Sequence, residues 1–126
     1  MSRTHDLIKE IISEHRYRIL DEEGEYIAVR YQFHTIHFFP NSEDENFVSI
    51  VLTCFEEVTK ENFMEMIMRC NKLNELLKQV KFYITKDAVL ATSELFYKEK
   101  EDLSFQMHKS LLSLVAAKVR FKKMND

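Results

Sequence analysis

The chain has 126 residues, 45% hydrophobic and 31% charged, which suits one domain around one core that buries roughly two-thirds of its unfolded surface. A formal net charge of -3 lacks the basic excess of a nucleic-acid binder, and no stretch reaches the ~18 apolar residues that a membrane span needs. A single glycine, Gly24, excludes the dinucleotide fingerprint and the phosphate-cradling P-loop, each of which needs several.

Taken in chain order, Leu7, Ile8, Ile11 and Ile12 recur at helical spacing and predict a first helix over 4–15, with Thr4 as its N-cap. Tyr17 to Leu20 reads as a strand. Glu22-Glu23-Gly24 reads as the turn after it, with Gly24 at a positive φ. Residues 25–39 read as one long extended segment. Ile27, Val29, Tyr31 and Phe33 alternate with polar or small residues, and Ile36 and Phe38 break that phase, which predicts a bend or bulge near Phe33-His34.

After the solvated turn 40–46, Phe47 to Phe55 alternates again. Val48, Ile50, Leu52 and Cys54 should face the core, leaving Phe47, Val51 and Phe55 on a second apolar face. A second helix starts at Thr59 as N-cap, with Val58 and Phe63 in the hydrophobic-staple positions. Its expected core stripe is Phe63, Ile67, Cys70, Asn74 and Leu77, joined by Met66 and Leu73. Val80 to Thr85, the turn Lys86-Asp87 and residues 88–97 make a hairpin. The last helix carries the stripe Phe105, His108, Leu112, Val115 and Val119, with Leu111 and Ala116 beside it. Lys118, Arg120, Lys122 and Lys123 place cations at its C-terminal end. The order α-β-β-β-α-β-β-α, with locally joined strands, predicts an antiparallel sheet packed with helices, an α+β fold.

The run Asn71-Lys-Leu-Asn74, then Phe82, Tyr83, Asp87, Val89, Leu90, Glu94 and Leu95, resembles the YbjN family. These are bacterial domains regarded as sensory transduction regulators, with the fold of type III secretion chaperones. The motif covers about residues 67–97, and Ala88 stands where that family commonly has glycine. The resemblance implies a small cytoplasmic domain, often dimeric, that binds protein or modulates a partner.

Residues that could carry chemistry have simpler roles. His34 and His37 are three apart on an extended segment and should point to opposite faces, so they read as sheet histidines and not as metal ligands. His108 reads as a partly buried histidine of the last helix. Cys54 and Cys70 read as reduced core thiols, with a disulfide as the competing reading. The carboxylate-rich runs at 22–25 and 43–45 lie in turns and read as solvated surface. Met64 and Met68 are four apart on the flank of the second helix, where soft side chains suit an adaptable interface.

The expectation is a non-enzymatic homodimer without metal or cofactor that binds another protein in a chaperone-like or adaptor role. Met64, Met68, Phe47, Val51, Phe55, Tyr83 and Tyr97 are the candidate contact residues, and Asn71 and Asn74 the structural ones. A small-ligand regulatory module is the competing reading, and an enzyme of unrecognised kind the third.

Overall fold

The computed structural model describes residues 2–41 and 43–124, the side chain of Cys54 excepted. The elements are α1 (Arg3–Glu14), β1 (Arg18–Glu22), β2 (Ile27–Tyr31), β3 (His34–Pro40), β4 (Phe47–Glu57), α2 (Phe63–Leu76), β5 (Val80–Thr85), β6 (Ala88–Phe96) and α3 (Lys100–Lys123). The six strands form one antiparallel sheet in the order β1-β2-β3-β4-β6-β5. The α+β class and antiparallel sheet are those expected, with one strand more.

The additional strand comes from residues 25–39, which form a hairpin and not one bent strand. Gln32 (φ 48°) and Phe33 (φ 71°) reverse the chain, and Tyr31 pairs with His34. Two consecutive positive φ values are the sign pattern of a type I′ hairpin turn, whose hand matches the twist of the flanking strands. Gly24 does not take a positive φ; the left-handed residues are Arg16, Gln32, Phe33, Gln79 and Lys86. The Lys86-Asp87 hairpin turn between β5 and β6 stands as expected.

Two helix starts also differ. Ser2 caps α1, its hydroxyl accepting from the His5 N–H at 3.1 Å. Thr4 lies inside the helix and is buried. Asn62 immediately precedes α2, but Thr59 and Asn62 bond reciprocally: the Thr59 N–H donates to Asn62 Oδ1 (2.7 Å) and the Asn62 N–H to Thr59 Oγ1 (3.2 Å). This is the capping-box arrangement with asparagine in the acceptor role, and it holds the turn that leads into the helix.

One core cluster joins the helices to one face of the sheet. It takes Ile8, Ile11 and Ile12 from α1, Met66, Cys70 and Leu73 from α2, and Leu103, Met107, Leu111, Leu114 and Phe121 from α3. The sheet contributes rows such as Val29, Ile36, Leu52, Ala91 and Phe82, which the register sets side by side. Strand alternation puts Ala28, His37, Val51, Thr92 and Lys81 on the opposite face in the same manner.

A register shift between Leu52 and Glu56 interrupts β4. Leu52 pairs with Ala91 and Glu56 with Val89, so two extra residues enter β4 there; alternation resumes in phase beyond them and only the residues within the shift are re-aimed. Phe55 therefore leaves the face of Val51 and packs edge-on against Phe82 and Phe121, with centroids at 6.0 and 5.4 Å. The expected exposure of Phe55 is corrected accordingly. The core position expected for Cys54 lies outside the described residues. Cys70 is a buried thiol, and burial pushes its pKa up.

The phase of α3 is the largest correction. Leu103, Met107, Ser110, Leu111, Leu114, Ala117 and Phe121 are its buried residues. Phe105, Leu112 and Val119 are 63%, 43% and 45% exposed, and His108 is exposed too. This helix carries two apolar stripes, and the core takes the one that includes Leu103 and Phe121.

Candidate partner-binding surface

The outward side of α2 bears four exposed apolar residues within about a turn and a half of helix. Met64 and Met68 are 66% and 67% exposed, and Phe63 and Ile67 beside them are 45% and 37% exposed. Residues three and four apart share a helix face, so these four form one strip. Met66, Cys70 and Leu73 point the other way into the core, which corrects the placement of Phe63 and Ile67 in the core stripe. Further along, Met68, Asn71, Lys72, Glu75 and Leu76 line a shallow depression.

The sequence of α2 holds this strip rigidly. Asn74 Nδ2 donates to the Phe82 carbonyl (3.0 Å), and the Phe82 N–H donates to Asn74 Oδ1 (2.7 Å). Asn74 thus bonds the backbone of β5, and its side chain sits at the exposed margin of the helix and not in the expected core stripe. Arg69 stitches the other side: its guanidinium donates to the Phe121 carbonyl (3.3 Å), stands 5.8 Å from the Phe121 ring centroid and pairs with Glu65 at 3.6 Å. Asn71 is exposed and takes no part in the Phe82 contact.

The other candidate contact residues scatter. Tyr83 is 47% exposed on β5, on the sheet face away from the helices. Phe47 is half-buried and pairs edge-on with the exposed Phe96 at 4.9 Å. Val51 is only 7% exposed at the centre of that face, flanked by His37 and Thr92. Val51 joins Phe55 as a correction to the expected surface set, and the third is Tyr97, which is buried. Its hydroxyl meets Thr4 Oγ1 at 2.6 Å and donates to the Glu45 carbonyl at 3.2 Å. Thr4 Oγ1 bonds the same carbonyl, and Asn46 Nδ2 donates to the Tyr97 carbonyl at 3.0 Å. Tyr97 therefore fastens α1 and the loop before β4 to the end of β6.

His34 and His37 fall on opposite faces of β3, as the alternation requires. Burial lowers the pKa of His37, opposed by the charge of Asp21, and its ring stacks on Phe39 at 5.8 Å. Among the described residues no three His, Cys, Asp or Glu side chains converge to hold a metal ion. A depression of about 700 Å³ lined by Gly24, Glu25, Phe39, Pro40 and Asn41 is open to solvent. No helix among the described residues is long and apolar enough to cross a membrane.

Sequence reasoning missed the pairing of buried His5 with Glu22, whose carboxylate stands 2.9 Å from the imidazole Nε2. It also missed the exposure of Phe105, Leu112 and Val119. Their seven-residue spacing was visible, but spacing alone does not say which of two stripes is inside.

An antiparallel sheet with helices packed on one face defines an α+β domain, and solved structures share this fold. Escherichia coli YbjN, described as a candidate transcription regulator, superposes with a TM-score of 0.70 at 10% identity, covering 90% of this chain and 87% of that one. An uncharacterised Methanothermobacter thermautotrophicus protein gives 0.68 at 17% identity, covering 94% of both chains. The Yersinia pestis type III secretion chaperone SycH, solved in complex with a stable fragment of YscM2, gives 0.62 at 20% identity, covering 92% of this chain and 97% of that one. At these identities the likeness is one of fold. No family model and no curated protein matches the sequence.

Proposed function

We propose that this domain is a non-enzymatic, homodimeric protein-binding module that acts as a chaperone-like or adaptor component of bacterial regulation in the cytoplasm. The observation that carries the reading is the exposed strip Phe63, Met64, Ile67 and Met68 on a helix fixed by Asn74 and Arg69. Methionine is flexible and polarisable, so such a strip accommodates partners of differing shape. The fold likeness to SycH, a chaperone solved with a protein fragment, and to YbjN supports the same reading.

The test is capture from native cell extract by the immobilised domain, with Met64→Lys/Met68→Lys as the comparison. The wild type should retain a defined protein that the double variant loses, while the unfolding midpoint moves by no more than about 0.5 kcal/mol equivalent per exposed site. Equal capture by a folded double variant, or a turnover that disappears in a folded His37→Ala variant, would overturn the proposal.

A further inference from the structure

We infer that the outward face of α3 seats α3 of a second copy of this chain, antiparallel, about a two-fold axis near Leu112. This deepens the homodimer proposed above and is independent of partner capture through α2.

The face is suited to a helix. Phe105, Leu112 and Val119 are exposed and spaced by seven, with the exposed His108 between the first two, whereas Val115 is partly buried against the chain's own core at the edge of this stripe. Such a 3.5-residue repeat is the seam along which helices pair by knobs-into-holes packing. The helix is continuous over 24 residues, about 36 Å, so the seam runs along most of one side of the domain.

Charge selects the occupant and its direction. The first turn of α3 bears Glu101 and Asp102, and its last turn bears Arg120, Lys122 and Lys123. A parallel pair would set like charges and like dipole ends together. An antiparallel pair centred on Leu112 sets Phe105 beside Val119 of the second copy and brings Glu101 within reach of that copy's Lys123, twice by symmetry. The helix dipoles also then oppose each other favourably. The cations are free enough to serve: Lys123 is exposed, and Lys122, paired with Glu56 at 2.6 Å, is still 44% exposed. An unrelated apolar partner would have no reason to match this end-to-end inversion of charge, whereas a second copy matches it automatically.

The experiment measures the dimer dissociation constant by sedimentation equilibrium, with circular dichroism confirming the fold of each variant. Leu112→Glu should raise that constant about tenfold or more, because the two carboxylates meet at the axis. Glu101→Lys and Lys123→Glu should each weaken it about two- to fivefold, and the double variant should recover most of the loss. In the oxidised state, Leu112→Cys should give a covalent dimer, and Met64→Cys should not. A wild type that is monomeric at tens of micromolar overturns both this interface and the proposed homodimer. A dimer indifferent to Leu112→Glu, or one cross-linked through Met64→Cys instead, overturns the α3 interface and leaves the homodimer standing.

Discussion

The carboxamide of Asn74 pairs with the backbone of Phe82 as a neighbouring strand would, accepting from its N–H at 2.7 Å and donating to its carbonyl at 3.0 Å. β5 is an edge strand, and an unpaired edge is a template for unwanted pairing. One side chain of α2 thus closes part of that edge and sets the angle between helix and sheet. Asn74→Leu should destabilise the domain by about 1–2 kcal/mol through loss of both bonds. Asn74→Asp keeps an acceptor for the N–H but turns an oxygen towards the carbonyl, so it should not rescue stability. Urea midpoints check both, and an unchanged midpoint for Asn74→Leu would make the contact ornamental.

The hairpin from Val80 to Phe96 was legible in the sequence because its signals are local: the alternation around Phe82 and the two-residue turn Lys86-Asp87. The hairpin in 25–39 was not, because its turn uses Gln32 and Phe33 where such turns ordinarily carry Asn or Gly. Only the phase break at Ile36 recorded it, and a phase break cannot separate a bulge from a reversal. The same ambiguity hid Phe55, displaced by a bulge that alternation does not announce. In α3, two apolar stripes share one helix, and the choice between them depends on the sheet that one of them covers. In α2, Met64 and Met68 are exposed as their flank position suggests, but Phe63 and Ile67, which the spacing placed in the core stripe, are exposed beside them, because the sheet takes Met66, Cys70 and Leu73 instead.

Tyr97 and Thr4 join the two ends of the chain's first and last thirds through the Glu45 carbonyl. Both side chains are buried, so removing one hydroxyl takes their mutual bond and one bond to the Glu45 carbonyl, while the other hydroxyl keeps that carbonyl. Tyr97→Phe should cost about 1–3 kcal/mol, and Thr4→Val a similar amount. The double variant should cost less than the sum, since the bond between the two hydroxyls is lost in each single variant and counted twice in the sum. Additive losses in a denaturation cycle would show that the two hydroxyls act separately.

Glu22 gives stability a defined pH dependence. The hydrogen bond from His5, followed by the bond and charge of Lys9 at 3.2 Å, holds its carboxyl below the ordinary value of 4.5. A folded pKa below the unfolded one means that the folded carboxylate is favoured. Its contribution is therefore present above the ordinary glutamate range and disappears as pH falls through the lowered folded value. Glu22→Gln should flatten the acid limb of the wild-type stability profile and leave the two proteins closer together at low pH than at neutral pH. Profiles that stay parallel from pH 7 to pH 3 would remove Glu22 from the account.

The two faces of α3 predict opposite consequences for one substitution. Phe121 is fully buried, with Phe82 of β5 stacked on it at 5.4 Å, Phe55 of β4 edge-on at 5.4 Å and the Arg69 guanidinium of α2 over its ring at 5.8 Å, so Phe121→Ala opens a cavity that three other elements line. It should cost about 3–5 kcal/mol at every protein concentration. Phe105 is 63% exposed and contacts the Lys109 ammonium at 5.7 Å, so Phe105→Ala should cost the isolated chain no more than about 0.5 kcal/mol. If α3 pairs with a second copy, that small cost grows with concentration, because association stabilises only the folded wild type. Thermal midpoints over a hundredfold range of dilution separate the cases. A Phe105→Ala deficit that is large and independent of concentration would mean that the outer stripe packs within its own chain, and the assignment of the two faces would have to be reversed.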